Sequence, residues 1–93
     1  MAYKLLYHPD IAKEDLGGIP QNIKSIIRKA IEERLATAPL EFGEPLRQSL
    51  KGHRKLRVGD YRVIYRVESD TVVILKIGHR RDVYCKVFSR LSS

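Results

Sequence analysis

The sequence predicts a small α+β domain in the order β-α-α-β-β-β-α. An antiparallel sheet carries two N-terminal helices on one face, a short helix ends the chain, and the other sheet face is concave and free. Three observations predict this. Apolar residues recur at helical spacing through residues 23–35. After residue 54 the period changes to two. Turn-forming pairs, Gly17-Gly18, Gly59-Asp60 and Ser69-Asp70, separate the runs.

Each element has its own local cause. Tyr3 to Tyr7 is short, aromatic and roughly alternating, as a strand is. Pro9-Asp10 opens a short helix that Gly17-Gly18 stops. From Pro20, Ile23, Ile26, Ile27, Ala30, Ile31 and Leu35 form one apolar face, opposite Lys24, Arg28, Lys29, Glu32 and Glu33, until Pro39. Residues 39–52 hold Pro39, Gly43, Pro45 and Gly52 and read as a loop. Leu56 and Val58 then alternate with Lys55 and Arg57, and Gly59-Asp60 makes a hairpin. Tyr61, Val63, Tyr65 and Val67 share one face of the next strand; Arg62, Ile64 and Arg66 share the other. Val72 to Leu75 is apolar on both faces, which marks a buried strand that Gly78 ends. Val83, Tyr84, Val87, Phe88 and Leu91 suggest the last helix, on which Cys85 is a small apolar filler.

A chain of 93 residues has room for one core, so residues 1–93 are expected to be a single domain. With 43% hydrophobic and 31% charged residues, disorder and fibrous repeats are excluded. No apolar run approaches a membrane span and no apolar leader follows Met1, so a cytoplasmic protein without a membrane partner is expected. The lone Cys85 excludes an internal disulfide framework. With three histidines it also excludes a multi-cysteine zinc site, so neither cofactor nor metal is expected.

Charge is more informative than its total of +7. Residues 1–50 hold seven Lys/Arg and seven Asp/Glu, whereas residues 51–93 hold eleven against four. The whole excess sits in the second half, the footprint of a polyanion-binding surface. Its centre is His53-Arg54-Lys55, Arg57, Arg62, Arg66, His79-Arg80-Arg81 and Tyr84. Like charges on neighbouring strands repel, and an anion between them relieves the repulsion. An RNA phosphodiester is such an anion. Cleavage by its own 2′-OH needs a base, cations around a pentacoordinate phosphate and a proton for the leaving 5′-oxygen. None of these requires a metal, and the sequence has no Asp/Glu/His cluster with ligand spacing.

Leu50-Lys51-Gly52-His53, then Lys55-Leu56-Arg57-Val58-Gly59-Asp60-Tyr61-Arg62-Val63-Ile64-Tyr65, then Gly78-His79-Arg80 and Tyr84, resemble the RelE/ParE superfamily of type II toxins. The likeness runs over nearly the whole chain. It implies the RelE-like fold and, in the RelE branch, an endoribonuclease that cuts messenger RNA in the ribosomal A site and halts translation. A cognate, partly disordered RelB-like antitoxin restrains such toxins and carries them to operator DNA. Residue by residue, the resemblance implies that Lys55 is the second of a lysine pair whose first position is His53 here. It implies that Arg62 stabilises the transition-state phosphate, that Arg80 stands near the leaving group and that Tyr84 stacks on a substrate base; among Val83, Val87 and Phe88, Tyr84 reads equally as a packing residue. Lys51 matches a basic position that helps hold RNA. Arg54, Arg57, Arg66 and Arg81 are read as further phosphate-positioning charges.

His53 departs from the family pattern. Lysine has a reference pKa near 10.4 and imidazole one near 6.5, so imidazole is the commoner general base at neutral pH. His53 and Lys55 are therefore both candidates for the base. His79, at a strand end, is read either as a backbone hydrogen-bond partner or as catalytic. Two other functions are expected to compete: a ParE-like inhibitor of DNA gyrase, and a catalytically degenerate toxin that only binds nucleic acid and antitoxin.

Overall fold

Two tight turns organise the sheet of the computed structural model, which describes residues 2–47, 50–84, 87 and 90. Gly59 has φ +60°, the left-handed region that glycine enters without strain, and Ser69 reaches φ +54°. The first turn joins β3 (Arg54–Val58) to β4 (Tyr61–Glu68), and the second joins β4 to β5 (Thr71–His79). Both pairs are antiparallel, as the period-two pattern predicts. The remaining elements are β1 (Lys4–Tyr7), α1 (Gln21–Ala30), α2 (Pro39–Phe42) and β2 (Glu44–Pro45). Short helical turns at Ile11–Asp15 and Leu16–Gly18 precede α1, and a wider turn at Ile31–Leu35 prolongs it.

The α+β class holds, with one strand placed differently. The sheet order is β1-β5-β4-β3-β2, and β1 lies parallel to β5, so the sheet is mixed rather than wholly antiparallel. Burial explains the parallel strand. Val72 to Leu75 are all buried, and a strand apolar on both faces needs a neighbour on each edge. β4 covers one edge and β1, from which the chain runs on into the helices, covers the other. The Lys4 N–H donates to the Asp70 carbonyl, and the His8 N–H to that of Ile74, both at 2.8 Å.

The main core fills the helix face of the sheet. Ile27, Ala30, Ile31 and Leu35 pack on Leu56, Val58, Val63, Tyr65, Val72, Ile74 and Ile77. Each fully buried branched chain contributes about 2 kcal/mol by leaving water. Ile26, expected with the other isoleucines, is 54% exposed at the margin of the apolar stripe. A bulge lets β5 serve this core along its length. Ile64 pairs with Lys76 but Tyr65 pairs with Ile74, so Leu75 is the extra residue. That residue shifts the alternation by one and turns Ile77 to the same face as Val72 and Ile74.

Residues 39–45, expected as loop, hold two regular elements. Pro39 opens α2 at the first helical position, where its missing N–H costs nothing, and the Tyr65 hydroxyl donates to the Pro39 carbonyl at 2.6 Å. Glu44 and Pro45 then add a short edge strand to β3. β5 also runs one residue past Gly78, to His79.

The second sheet face is not free. Val83 and Val87 are fully buried against Ile64, flanked by Leu46 and Leu50. Val83 lies directly over Gly78, where a Cβ would stand 3.4 Å from Val83 Cα, in ordinary van der Waals contact. Val87 and Arg90 have helical backbone, in line with the expected last helix, while Cys85, Phe88 and Leu91 lie outside the described residues. Among the described residues, no helix is long and apolar enough to cross a membrane.

Candidate functional site

Strand alternation assembles the basic residues in rows on the second face. Arg57 lies opposite Arg62, which in turn faces Gly78. One step from the hairpin, Glu44, Lys55, Ile64 and Lys76 are successive cross-strand partners. Continuing the β3–β4 register past Arg54 brings His53 opposite Arg66, while Leu46 N–H donates to the His53 carbonyl at 2.9 Å. His53, Lys55, Arg57, Arg62 and Arg66 thus share one face. Ile64 and its apolar cover lie in the middle of that face.

Arg62 is 9% exposed, and its Nη1 donates to the carbonyls of Gly59 and Tyr61, each at 2.9 Å. The hairpin turn therefore fixes the guanidinium beside Arg57, whose own side chain is exposed. Two cations on adjacent strands disfavour each other, and the turn carbonyls offset part of that repulsion. Arg80 joins this end through its backbone, since its N–H donates to the Asp60 carbonyl at 2.8 Å. Arg57, Arg62 and Arg80 are so gathered at the β3–β4 turn.

Lys55 is half-buried, with Nζ 4.0 Å from a Glu44 carboxylate oxygen across the β2–β3 pair. Glu44 belongs to the site geometrically, although the sequence reading passed over it as loop. Its neighbours Gly43 and Pro45 conceal a strand of only two residues. His53 is also half-buried, and among the described residues neither ring nitrogen has a hydrogen-bond partner, although both are shielded from solvent. A buried polar group without a partner is costly, so a donor or acceptor arriving at this ring would be rewarded.

The other candidates divide. Tyr84 is 37% exposed while Val83 and Val87 on either side are buried, so its ring is presented outward rather than used in the core. Lys51 and Arg81 are exposed. Arg66 is paired with Glu68 two residues on. Arg54 points to the helix face, where its guanidinium donates to the carbonyls of Leu40, at 2.9 Å, and Gly43. It is committed to packing rather than to the basic face. His79 accepts the Arg81 N–H on Nδ1 at 3.2 Å and meets the Tyr61 ring edge-on, with centroids 5.6 Å apart. Those contacts match its reading as a backbone partner.

Known proteins with the same pattern place this geometry. The family model described as ParE toxin of type II toxin-antitoxin system, parDE, matches residues 7–84. Toxin RelG of Mycobacterium tuberculosis is 39% identical over 75 residues, covering 78% of this chain and 86% of that protein. Toxin RelE of the same organism is 34% identical over 83 residues, covering 84% and 86%. Among solved structures, a chain of the M. tuberculosis toxin-antitoxin complex RelBE2 superposes with a TM-score of 0.78 at 34% identity, covering 88% of this chain and 95% of that one. A free mutant of E. coli toxin RelE gives 0.74 at 21% identity over 97% and 94% of the two chains, a likeness of fold. The chain belongs to the RelE/ParE superfamily of type II toxin–antitoxin toxins.

Proposed function

We propose that this toxin is a ribosome-dependent endoribonuclease of the RelE kind, cleaving messenger RNA in the A site without a metal. The observation that carries the reading is the gathering of Arg57, Arg62 and Arg80 at the β3–β4 turn, on the face that bears Lys55 and His53. In this reaction the 2′-oxygen bonds to phosphorus and the P–O5′ bond breaks, leaving a 2′,3′-cyclic phosphate and a 5′-hydroxyl. His53 or Lys55 takes the 2′-OH proton, Arg62 and Arg57 stabilise the added negative charge, and Arg80 assists the leaving oxygen. Each aimed cation is worth on the order of 3 kcal/mol, or about a hundredfold in rate. Tyr84 offers the exposed ring on which a base can stack.

The shape of the face supports ribosome dependence. The basic residues surround a face whose middle Val83 and Val87 cover, and such a surface gives a flexible RNA chain little to hold it in register, so the ribosome would supply orientation and the basic half would dock on ribosomal RNA. Such a toxin works in the cytoplasm and needs restraint. Structural relatives include complexes, among them RelBE2 and the RelB-RelE antitoxin-toxin complex from Methanococcus jannaschii. That likeness supports an antitoxin partner; in our reading it is acidic and partly disordered, covers Lys55, Arg57, Arg62 and Arg80 or displaces the last helix from them, and bridges the toxin to operator DNA.

Mapping messenger ends by primer extension after induced expression tests the reading. New ends at A-site codons are expected, together with weak cutting of naked RNA. Trapped DNA breaks without new messenger ends would instead assign a gyrase target, and neither would leave a non-catalytic binding module.

A further inference from the structure

At the edge of β5, beside the basic face, lies a buried charge cluster that none of these roles uses. Asp15 ends the first helical turn, level with the part of β5 that β1 leaves uncovered. Its Oδ2 accepts the Ile77 N–H at 2.9 Å, in the place a further strand would take. From the C-terminal segment, Arg90 donates Nη1 to Oδ2 at 2.7 Å and Nη2 to Oδ1 at 2.9 Å, a two-pronged pair. Nη1 also reaches the Leu75 carbonyl at 3.1 Å, and Lys76 Nζ stands 3.5 Å from Oδ1. The side chains of Asp15 and Arg90 are 3% and 4% exposed. Glu14 adds a looser contact to Arg90 at 4.0 Å.

A salt bridge this dry adds little stability over apolar packing, but its geometry is demanding and it permits one arrangement of the elements it joins. Those elements are the first helical turn, the bulged strand and the C-terminal segment. The last of these carries Tyr84. It is tied at its start by the Arg80–Asp60 backbone bond, in the middle by Val83 and Val87 on Ile64, and at its far end by Arg90. Valines on an isoleucine can slide, whereas a bidentate guanidinium cannot.

We infer that Asp15 and Arg90 form a clasp that sets where Tyr84 stands over the basic face, so both are positioning residues for the reaction proposed above. The inference rests on that reaction for its functional half; its structural half stands by itself. Arg90→Met keeps the buried stem and leaves Asp15 its Ile77 and Lys76 partners. Arg90→Lys keeps the charge but not the two-pronged geometry.

Two measurements on the full chain test the clasp. In amide hydrogen exchange, Arg90→Met should speed exchange across 83–90 while β3–β5 stay protected, and Arg90→Lys should fall between. In single-turnover cleavage on programmed ribosomes, Arg90→Met should lose rate to the same degree as Tyr84→Ala, on the order of tenfold to a hundredfold. The double variant should lose no more than Tyr84→Ala alone, because the clasp acts through the tyrosine. Unchanged exchange in 83–90 would overturn the clasp. Faster exchange with full rate, or losses that multiply in the double variant, would overturn its link to Tyr84. A wild-type chain that cleaves no messenger would refute the proposed reaction instead, and the exchange arm would still read the clasp.

Discussion

Arg54→Ala separates packing from RNA binding, because the sequence assigns Arg54 to phosphate contact and the structure turns it to the other side of the sheet. Its guanidinium holds the carbonyls of Leu40 and Gly43. Leu40 is exposed, so water replaces that partner at little cost. Gly43 is buried, so its carbonyl would be left dry and unpaired. A charged hydrogen bond contributes about 1.5–3 kcal/mol, and discounting the exposed one gives a loss of about 2 kcal/mol. For a domain of this size that lowers Tm by roughly 8–16 °C. Binding to programmed ribosomes should respond differently. Each lost phosphate contact reduces the slope of log K against log salt by about one, and Arg57→Ala should show that change while Arg54→Ala should not. Calorimetry with a salt titration of binding reads both quantities. An Arg54→Ala protein with wild-type Tm and a slope reduced by one would refute the packing assignment.

Three further outcomes follow from the same geometry. His53→Ala and His53→Gln, assayed by single-turnover cleavage on programmed ribosomes, should both lose rate if His53 is the base; wild-type rate in both variants returns the role to Lys55. Burial raises the Tyr65 phenol above its ordinary value of 10.0, so the folded chain keeps a proton there that the unfolded chain loses. This stability is full below that value and falls as pH rises through the folded one, so Tyr65→Phe should cost about 1 kcal/mol at neutral pH, and less in strong alkali. Denaturant unfolding curves that keep the same gap at every pH would exclude Tyr65 as the source. Gly43→Ala drives its Cβ into the Tyr65 phenol and should cost about 1–3 kcal/mol. Adding Tyr65→Phe opens part of that space, so the pair should cost less than the sum, and strict additivity would show that the ring moves aside.

Much of this molecule follows from local pattern. The apolar stripe from Ile23 to Leu35 specifies a helix, and alternation about Gly59-Asp60 specifies a hairpin with Lys55, Arg57, Arg62 and Arg66 on one side. Both are short-range consequences of the 3.6- and two-residue periods, and they suffice to bring the basic residues together. The family was legible for the same reason, since its most specific run lies on that hairpin. Alternation also put Arg54 on the face away from Lys55. Its commitment to the Gly43 carbonyl depends on where the chain returns after α2, which no local rule specifies. The parallel β1, the bulge at Leu75 and the cover over Ile64 likewise arise from long-range competition to bury β5 on both faces and both edges. Asp15 and Arg90 lie 75 residues apart, and no local pattern in the sequence pairs them. Tertiary structure alone made them a buried pair, because only the assembled sheet edge removes both from water and leaves each as the other's partner.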